Sequence, residues 1–389
     1  MENSKKVKDA FNDPSIKVPF VCPQITKSDK KSIMDALDSS LLTDGPNLRQ
    51  FETEFAKFTK INYAVGVSNG TSALQLSLKA VGIGKGDEVI IPDMTFVATA
   101  SAVLLVGATP VLVDVNKDDC NISPNSIKNS ITSKTKAILP VHFAGKICNM
   151  KEIQKIAKKN SLFIIEDCAH AIGTTKENKH AGTFGEAGCF SFYPTKNFTT
   201  IEGGMVITHS KKIAKYVSIA RNHGITKSLK QRFSKGKPWN YDVCEPGYNY
   251  RLDEIRSALG ISQLRRIKKI KLQRKKAFEY YNSKLEYVKG ITIPLLSHNE
   301  EHACHLYIVK IHKDYDITRD DLFLKLSRNG IRSSVHYKPL HEFSVFKKFA
   351  KVYNSLKNSK ELYKEIISLP LYSQISRRDQ DKVINCFKN

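Results

Sequence analysis

A lysine that leaves a buried strand offers chemistry that a solvated lysine does not. In SFYPTKNFTTIEGG, Lys196 follows a strand running through Phe192 that ends at Pro194, and it precedes Gly203 and Gly204. Burial disfavours an ammonium charge, so a lysine placed there presents a free amine able to form a Schiff base with a carbonyl. Asp167 closes the apolar run Phe163 to Ile165 in FIIEDCAHAIG. Open α/β sheets present ligand-binding groups at the carboxyl ends of strands, and a carboxylate there can hold a cationic ring nitrogen. Taken alone, Asp167 reads better as a cap for a helix at CAHA. In SNGTSAL, a turn at Gly70 feeds a helix starting near Thr71, and backbone N–H groups at a helix start bind phosphate. An ordinary N-cap would explain the same cluster by itself. Phe96 in PDMTFVAT follows the strand Val89 to Ile91 and could stack on a flat ring or fill the core. Joined, the four pieces are a phosphate cradle, an aromatic platform, a ring-nitrogen carboxylate and an amine. Pyridoxal phosphate requires all four.

Such residues work together only if their strands end at one sheet edge. From Gly45 to about Val206, FETEFAKFTK and GTSALQLSLKAV have helical periodicity, while DEVIIP, PVLVDV, KAILPVHF, LFIIED, GCFSFY and GMVITH read as short buried strands. Near-continuous apolar strands between helices predict an α/β large domain of three layers, with a mainly parallel central sheet covered on both faces. The uncharged stretch from Met94 to Val113 is punctuated by Thr, Ser, Gly and Pro, so it reads as a buried helix, a turn at Gly107 to Pro110 and a strand. The segment from Gly224 to Gly247 has no periodicity and reads as a long functional loop. A long helix follows, from about Leu252 to Leu285. ITIPLL, HLYIVKI and IRSSVHY then look like strands, and RDDLFLKLSRNG like a helix that starts after Thr318 and stops at Asn329 and Gly330. The expected division is an N-terminal arm over 1–28, a large cofactor-binding domain over 29–250, and the linking helix with a smaller C-terminal α+β domain over 251–389.

The chain has 389 residues, 41% hydrophobic and 26% charged, which is ample for two cored domains. With 62 Lys and Arg against 38 Asp and Glu, its formal charge is +24. That suits nucleic acid, an anionic surface or a phosphorylated small molecule. The densest basic run, Arg265 to Lys276, continues a helical pattern with Ile255, Leu259, Leu264, Ile267 and Ile270. It reads as a solvated helix face, and no nucleic-acid partner is expected. The first residues hold no apolar leader and no membrane partner is expected, so a cytoplasmic location follows. The 8 cysteines include no CxxC pair. His302, Cys304 and His305 cluster in EHACH, but no second ligand group follows at finger spacing, and no metal is expected.

At these motifs the chain resembles the sugar aminotransferases of the DegT/StrS type, pyridoxal-phosphate enzymes of the aspartate-aminotransferase fold, also called fold type I. The resemblance runs from about Leu42, in LLTDGPNLRQFETEF, through SNGTSAL, DEVIIPDMTFVATASAV, GATPVLVDV, ILPVHFAG, EDCAHAIG, SFYPTKN, EGGMVIT, RNHG, GYNYRLDEIRSALG and VHYKPLH to SLPLY. It implies that Lys196 binds the cofactor covalently and then shuttles a proton, and that Asp167 pairs with the pyridinium nitrogen. His170, where many relatives have Gln, would contact the ring's phenolic oxygen. Gly70, Thr71, Ser72 and Ser191 would hold the phosphate, Phe96 would stack on the ring, and Asn249 would reach the phosphate region of the neighbouring subunit's site in a homodimer. Trp239, Tyr241, Arg251, His336, Tyr337 and Lys338 would line the nucleotide-sugar side. Ile201 stands where Gly is common, a departure that would stiffen its turn.

The implied reaction moves an amino group from glutamate onto a nucleotide-linked keto-deoxysugar, at the 4-keto rather than the 3-keto position, in amino-sugar and surface-polysaccharide biosynthesis. Some members carry His in place of the lysine and act as dehydratases; Lys196 favours transamination. A regulatory protein that kept the cofactor, and a basic nucleic-acid-binding protein on an idle fold, are the remaining readings. The intact pair of Lys196 and Asp167 argues against the last.

Overall fold

Short runs of Val, Ile and Phe that are too brief for helices pair into one seven-stranded sheet. In the computed structural model, which describes residues 15–227, 231–232, 237–296 and 300–388, its strands are β1 (Tyr63–Val67), β2 (Glu88–Pro92), β3 (Thr109–Val113), β4 (Thr135–Ile138), β5 (Phe163–Asp167), β6 (Ala187–Ser191) and β7 (Gly204–Thr208). Residues 1–14 of the expected arm and parts of the expected loop after Gly224 lie outside the described residues. The strand order is β1-β7-β6-β5-β4-β2-β3. From β6 to β3 every pair is parallel, whereas β7 runs antiparallel to both β6 and β1. The sheet is thus mainly parallel with an antiparallel edge.

Helices cover both faces: α1 (Lys27–Leu37), α2 (Pro46–Thr59), α3 (Gly70–Ala80), α4 (Val97–Leu105), α5 (Met150–Lys159), α6 (Lys211–Ala220), α7 (Glu254–Arg265) and α8 (Ile267–Leu285). Side chains alternate across a strand, so β2 sends Val89 and Ile91 to one face and Ile90 to the other. The first face packs with Leu74, Leu78, Val103 and Val217 of α3, α4 and α6. The second packs with Phe51, Phe55, Ile153, Ile156 and Leu264 of α2, α5 and α7. This is the three-layer arrangement read from the sequence. A second core joins Phe278 and Tyr281 of α8 to β8 (Tyr307–Ile311), α9 (Arg319–Arg328), β9 (Ile366–Leu369) and α10 (Arg377–Asn385). No helix among the described residues is long and apolar enough to cross a membrane.

Three expectations are corrected. The single helix over Leu252–Leu285 is two helices, broken at Arg266 (φ −100°, ψ 1°). The guanidinium of Arg266 reaches the buried Asp29 at 2.6 Å, and Asp29 also closes the capping box of α1 with Thr26. Ile261, Leu264, Ile267 and Ile270 stay in one core across the break, which is why the spacing looked continuous. IRSSVHY forms no strand. Ile331 and Ser334 make only isolated bridges, to Val18 and Ser368, and the chain then turns from the small sheet to carry His336 and Tyr337 toward Lys196. ITIPLL pairs only at Ile291–Thr292, since Pro294 has no N–H to donate.

Candidate active site

Parallel strands deliver their carboxyl ends to one edge, and the chemistry sits there. A cavity of about 580 Å³ is lined by Gly70, Thr71, Phe96, Asp167, His170, Ser191, Lys196, His336 and Tyr337. Each ends or follows a strand of the large sheet, except His336 and Tyr337, which arrive from the C-terminal part of the chain. Leu340 N–H donates to the Asp93 carbonyl at 2.8 Å, and His341 binds the Asp93 carboxylate through its N–H (3.0 Å) and Nδ1 (2.7 Å). The segment that carries His336 and Tyr337 is therefore pinned to Asp93, just past the end of β2.

The phosphate cradle is made by close approach of backbone. α3 begins at Gly70 with Asn69 as N-cap, its side chain accepting from Ser72 N–H at 2.8 Å. The Ser72 hydroxyl bonds to Asn69 and Ser68, both at 2.9 Å, so Ser72 supports the turn from behind and does not line the cavity. A Cβ on Gly70 would lie 2.9 Å from Ser191 Cβ, and one on Gly204 only 2.4 Å from the Asn69 carbonyl oxygen. Glycine is required at both places for the backbone N–H groups at the positive end of α3 to stay open to an anion.

Asp167 is buried and has no helix to cap, since CAHA forms turns. Its Oδ1 accepts from Ala169 N–H at 3.1 Å and its Oδ2 from the Thr99 hydroxyl at 2.9 Å. Burial pushes its carboxyl above the ordinary value, against the opposing pull of Ala169 N–H, Thr99 and the Lys196 charge. A carboxylate so enclosed lacks a full counter-charge, and a protonated ring nitrogen would supply one. The neighbouring Glu166 points the other way. It accepts from the N–H groups of Gly182, Phe184 and Gly185 and bonds to His142 Nε2 at 2.8 Å. His142, Glu166 and Cys168 gather as a metal site would, but those donors already occupy the carboxylate.

Lys196 is held by its N–H to the Tyr193 carbonyl at 2.9 Å. Burial lowers its amine to about 8, with Asp167 pulling weakly upward. Since burial penalises the charged form, the amine is largely protonated below that pH and free above it. Competitive acetylation of the cofactor-free protein at graded pH, read by mass mapping, should give Lys196 a midpoint near 8, against about 10.4 for solvated lysines. A midpoint among the surface lysines would show that enclosure does not activate it.

Phe96 is 56% exposed, with its ring 6.0 Å from that of Tyr337. A large ring left at a cavity rim instead of in the core fits the platform reading. His170 is buried, with Nε2 3.0 Å from the Tyr337 hydroxyl, and its Nδ1 has no partner among the described residues. The remaining candidates lie outside this chain's own cavity. Trp239 is exposed, and Tyr241 packs under the Arg232 guanidinium at 4.0 Å. Arg251 donates to Asn222 Oδ1 at 2.8 Å, Asn249 is exposed and bridges to Asn222, and Lys338 sits over the Phe343 ring.

The sequence reading passed over Arg274 as surface charge. Arg274 belongs to the basic run yet is buried, donating Nε to the Cys304 carbonyl (2.9 Å) and Nη2 to that of His305 (2.7 Å). Its signal was phase, because it falls in the apolar series Ile267, Ile270, Ala277, Phe278 and Tyr281 of α8. Ile201 takes φ +71°, a left-handed conformation that a β-branched side chain rarely adopts. The side chain is exposed, so little packing offsets the strain. Ile201→Gly is expected to raise stability by about 1 kcal/mol in chemical denaturation; an unchanged or lower midpoint would show that no strain resides there.

The family model described as the DegT/DnrJ/EryC1/StrS aminotransferase family matches residues 23–388. The spore coat polysaccharide biosynthesis protein SpsC of Bacillus subtilis (strain 168) is 36% identical over 375 residues, 96% of each chain. Among solved structures, the putative sugar aminotransferase Spr1654 from Streptococcus pneumoniae in its PLP-form matches with a TM-score of 0.88 at 30% identity, covering 95% of this chain and 97% of that one. Helicobacter pylori PseC, an aminotransferase involved in the biosynthesis of pseudoaminic acid, matches with a TM-score of 0.86 at 30% identity, covering 95% of this chain and 98% of that one.

Proposed function

This chain belongs to the DegT/DnrJ/EryC1/StrS aminotransferase family, and from that premise we infer that it transfers an amino group onto the keto group of a nucleotide-linked deoxysugar. Its cofactor is pyridoxal phosphate. The observation that carries the reading is a single cavity holding the enclosed Asp167, the lowered amine of Lys196 and the glycine cradle at Gly70. When bound, the cofactor supplies an electron sink for charge developing next to the transferred nitrogen. Gly70, Thr71 and Ser191 would hold its phosphate at the start of α3, and Phe96 would cover its ring. Asp167 would keep the ring nitrogen protonated, and His170 would meet the phenolic oxygen. Lys196 Nζ would hold the cofactor covalently at rest, then take and return the proton at the reacting carbon.

Relatives named for spore coat polysaccharide and for pseudoaminic acid support a sugar acceptor in amino-sugar biosynthesis. The basic surface suits a pyrophosphate. We assign glutamate as donor, a 4-keto sugar as acceptor and a cytoplasmic setting. Incubation with glutamate and a panel of 4-keto and 3-keto nucleotide sugars should yield an amino sugar by mass from a 4-keto member. A dehydrated product would instead favour the dehydratase reading, and no product from any member by the loaded protein would overturn the assignment.

The working unit proposed is a homodimer whose sites are each completed by Asn249 of the partner subunit. The exposure of Asn249 outside its own cavity supports this, and Arg251, Trp239, Tyr241 and Lys338 would border the sugar side of an assembled site. Lys196→Ala and Asn249→Ala chains then carry lesions in different halves of a site. Mixing them with subunit exchange should restore activity towards about a quarter of wild type, because about half the dimers are mixed and each has one intact site. No recovery between two impaired parents would assign Asn249 to its own chain.

A further inference from the structure

We propose that Tyr337 is a positioning residue that fixes the tautomer of His170, so that His170 presents Nδ1–H as a donor to the phenolic oxygen of the cofactor ring. The proposal rests on the reading that His170 meets that oxygen, and it adds what makes the meeting productive.

Burial holds the His170 imidazole well below its ordinary range, with Lys196 and His336 adding to the effect. A neutral imidazole has one donor nitrogen and one acceptor nitrogen, and which is which depends on its partners. Two independent counts give the same answer. Burial pushes the Tyr337 phenol far above its ordinary range, so its proton stays on. Among the described residues, the acceptor within reach of that hydroxyl is His170 Nε2, at 3.0 Å. Nε2 therefore accepts, and the imidazole proton sits on Nδ1. From the other side, Nδ1 is buried without a partner among the described residues, in a residue that lines the cavity. A deprotonated phenolic oxygen arriving there is an acceptor and needs a donor, which is what this tautomer offers.

The surroundings hold the ring in that orientation. His305 packs against His170 with ring centroids 4.4 Å apart. Asn197 donates Nδ2 to the Ala303 carbonyl at 2.6 Å, so its Oδ1 accepts from His305 Nδ1 at 3.1 Å. His305 is thereby committed, and Arg274 anchors the backbone beneath it. Tyr337 in turn sits on the segment that Asp93 clamps to the large domain. The small domain thus acts on the cofactor ring through one hydroxyl.

In full-length protein with 15N-labelled histidine and no cofactor, the His170 resonances should show Nδ1 protonated, with both tautomers populated in Tyr337→Phe. In the loaded enzyme, Tyr337→Phe should shift the visible absorption band of the bound cofactor and weaken cofactor binding about tenfold, as loss of one hydrogen bond does. Glutamine carries a fixed amide donor, so in a His170→Gln background Tyr337→Phe should leave the band where it is. An Nε2–H tautomer in the wild type would overturn the proposal, as would an equal shift from Tyr337→Phe in the glutamine background. A band shift in His170→Ala with none in Tyr337→Phe removes the relay alone. No shift in either variant removes the contact of His170 with the cofactor, and the proposal with it.

Discussion

Lys196→Ala is expected to lose at least about 10⁴-fold in turnover, because one side chain supplies both the covalent anchor and the proton carrier. The fold should survive the change. Lys196 is held through its backbone N–H to Tyr193, and removing an amine whose charge is disfavoured by burial takes away an unfavourable group. Cofactor should still bind through the glycine cradle. Borohydride should then fix it covalently in the wild type, with the mass tag on Lys196, and leave the variant unlabelled. Label on another residue, or turnover retained in the alanine variant, would show that a different amine serves.

Asp167→Asn should lose about 10²- to 10³-fold in turnover while still binding cofactor. An amide cannot keep the ring nitrogen protonated as a carboxylate does, and each lost pKa unit of support is about 1.4 kcal/mol. The substitution is nearly isosteric. One amide oxygen can still accept from Ala169 N–H, and the Thr99 hydroxyl, which also bonds Thr95 at 2.9 Å, can rotate to accept from the new NH₂ group. Because the shell adapts, the loss should fall on kcat more than on cofactor affinity. Near-normal kcat in a loaded variant would remove Asp167 from this role.

Lys196, Asp167, Gly70 and Phe96 were legible because each is marked by a local change of period, a strand giving way to a turn within a few residues. The helices over SNGTSAL and RDDLFLKLSRNG were legible for the same reason, with caps at Asn69 and Thr318. What stayed hidden depends on contacts between distant segments. Thr99 looks like one of many small residues in a buried helix until β5 places Asp167 against it. Arg274 looks like surface charge until the EHACH carbonyls arrive from another part of the chain. The break at Arg266 was invisible because the partner of its side chain, Asp29, lies in α1. IRSSVHY alternates like a strand, yet its end carries Tyr337 to His170 at the large sheet's edge. Of the implied phosphate group, Ser72 shows the limit of residue type as a guide: it has the right hydroxyl, spent on holding the turn.

The pairing of β1 at the sheet edge has a consequence for the order in which the enzyme is made. β1 sets the start of α3, and its neighbour in the sheet is β7, antiparallel from Tyr63–Thr208 to Val67–Gly204. Gly204 also packs against the Asn69 carbonyl with no room for a methyl group. During synthesis, the SNGTSAL part of the phosphate cradle emerges early, but the strand that fixes it is complete only once Thr208 has been added. Such long-range pairing is paid for by loop closure before it rewards the chain. A nascent chain ending before β7 holds the SNGTSAL turn without its second wall, so capture of the cofactor is a late event, reserved for a chain whose sheet has closed.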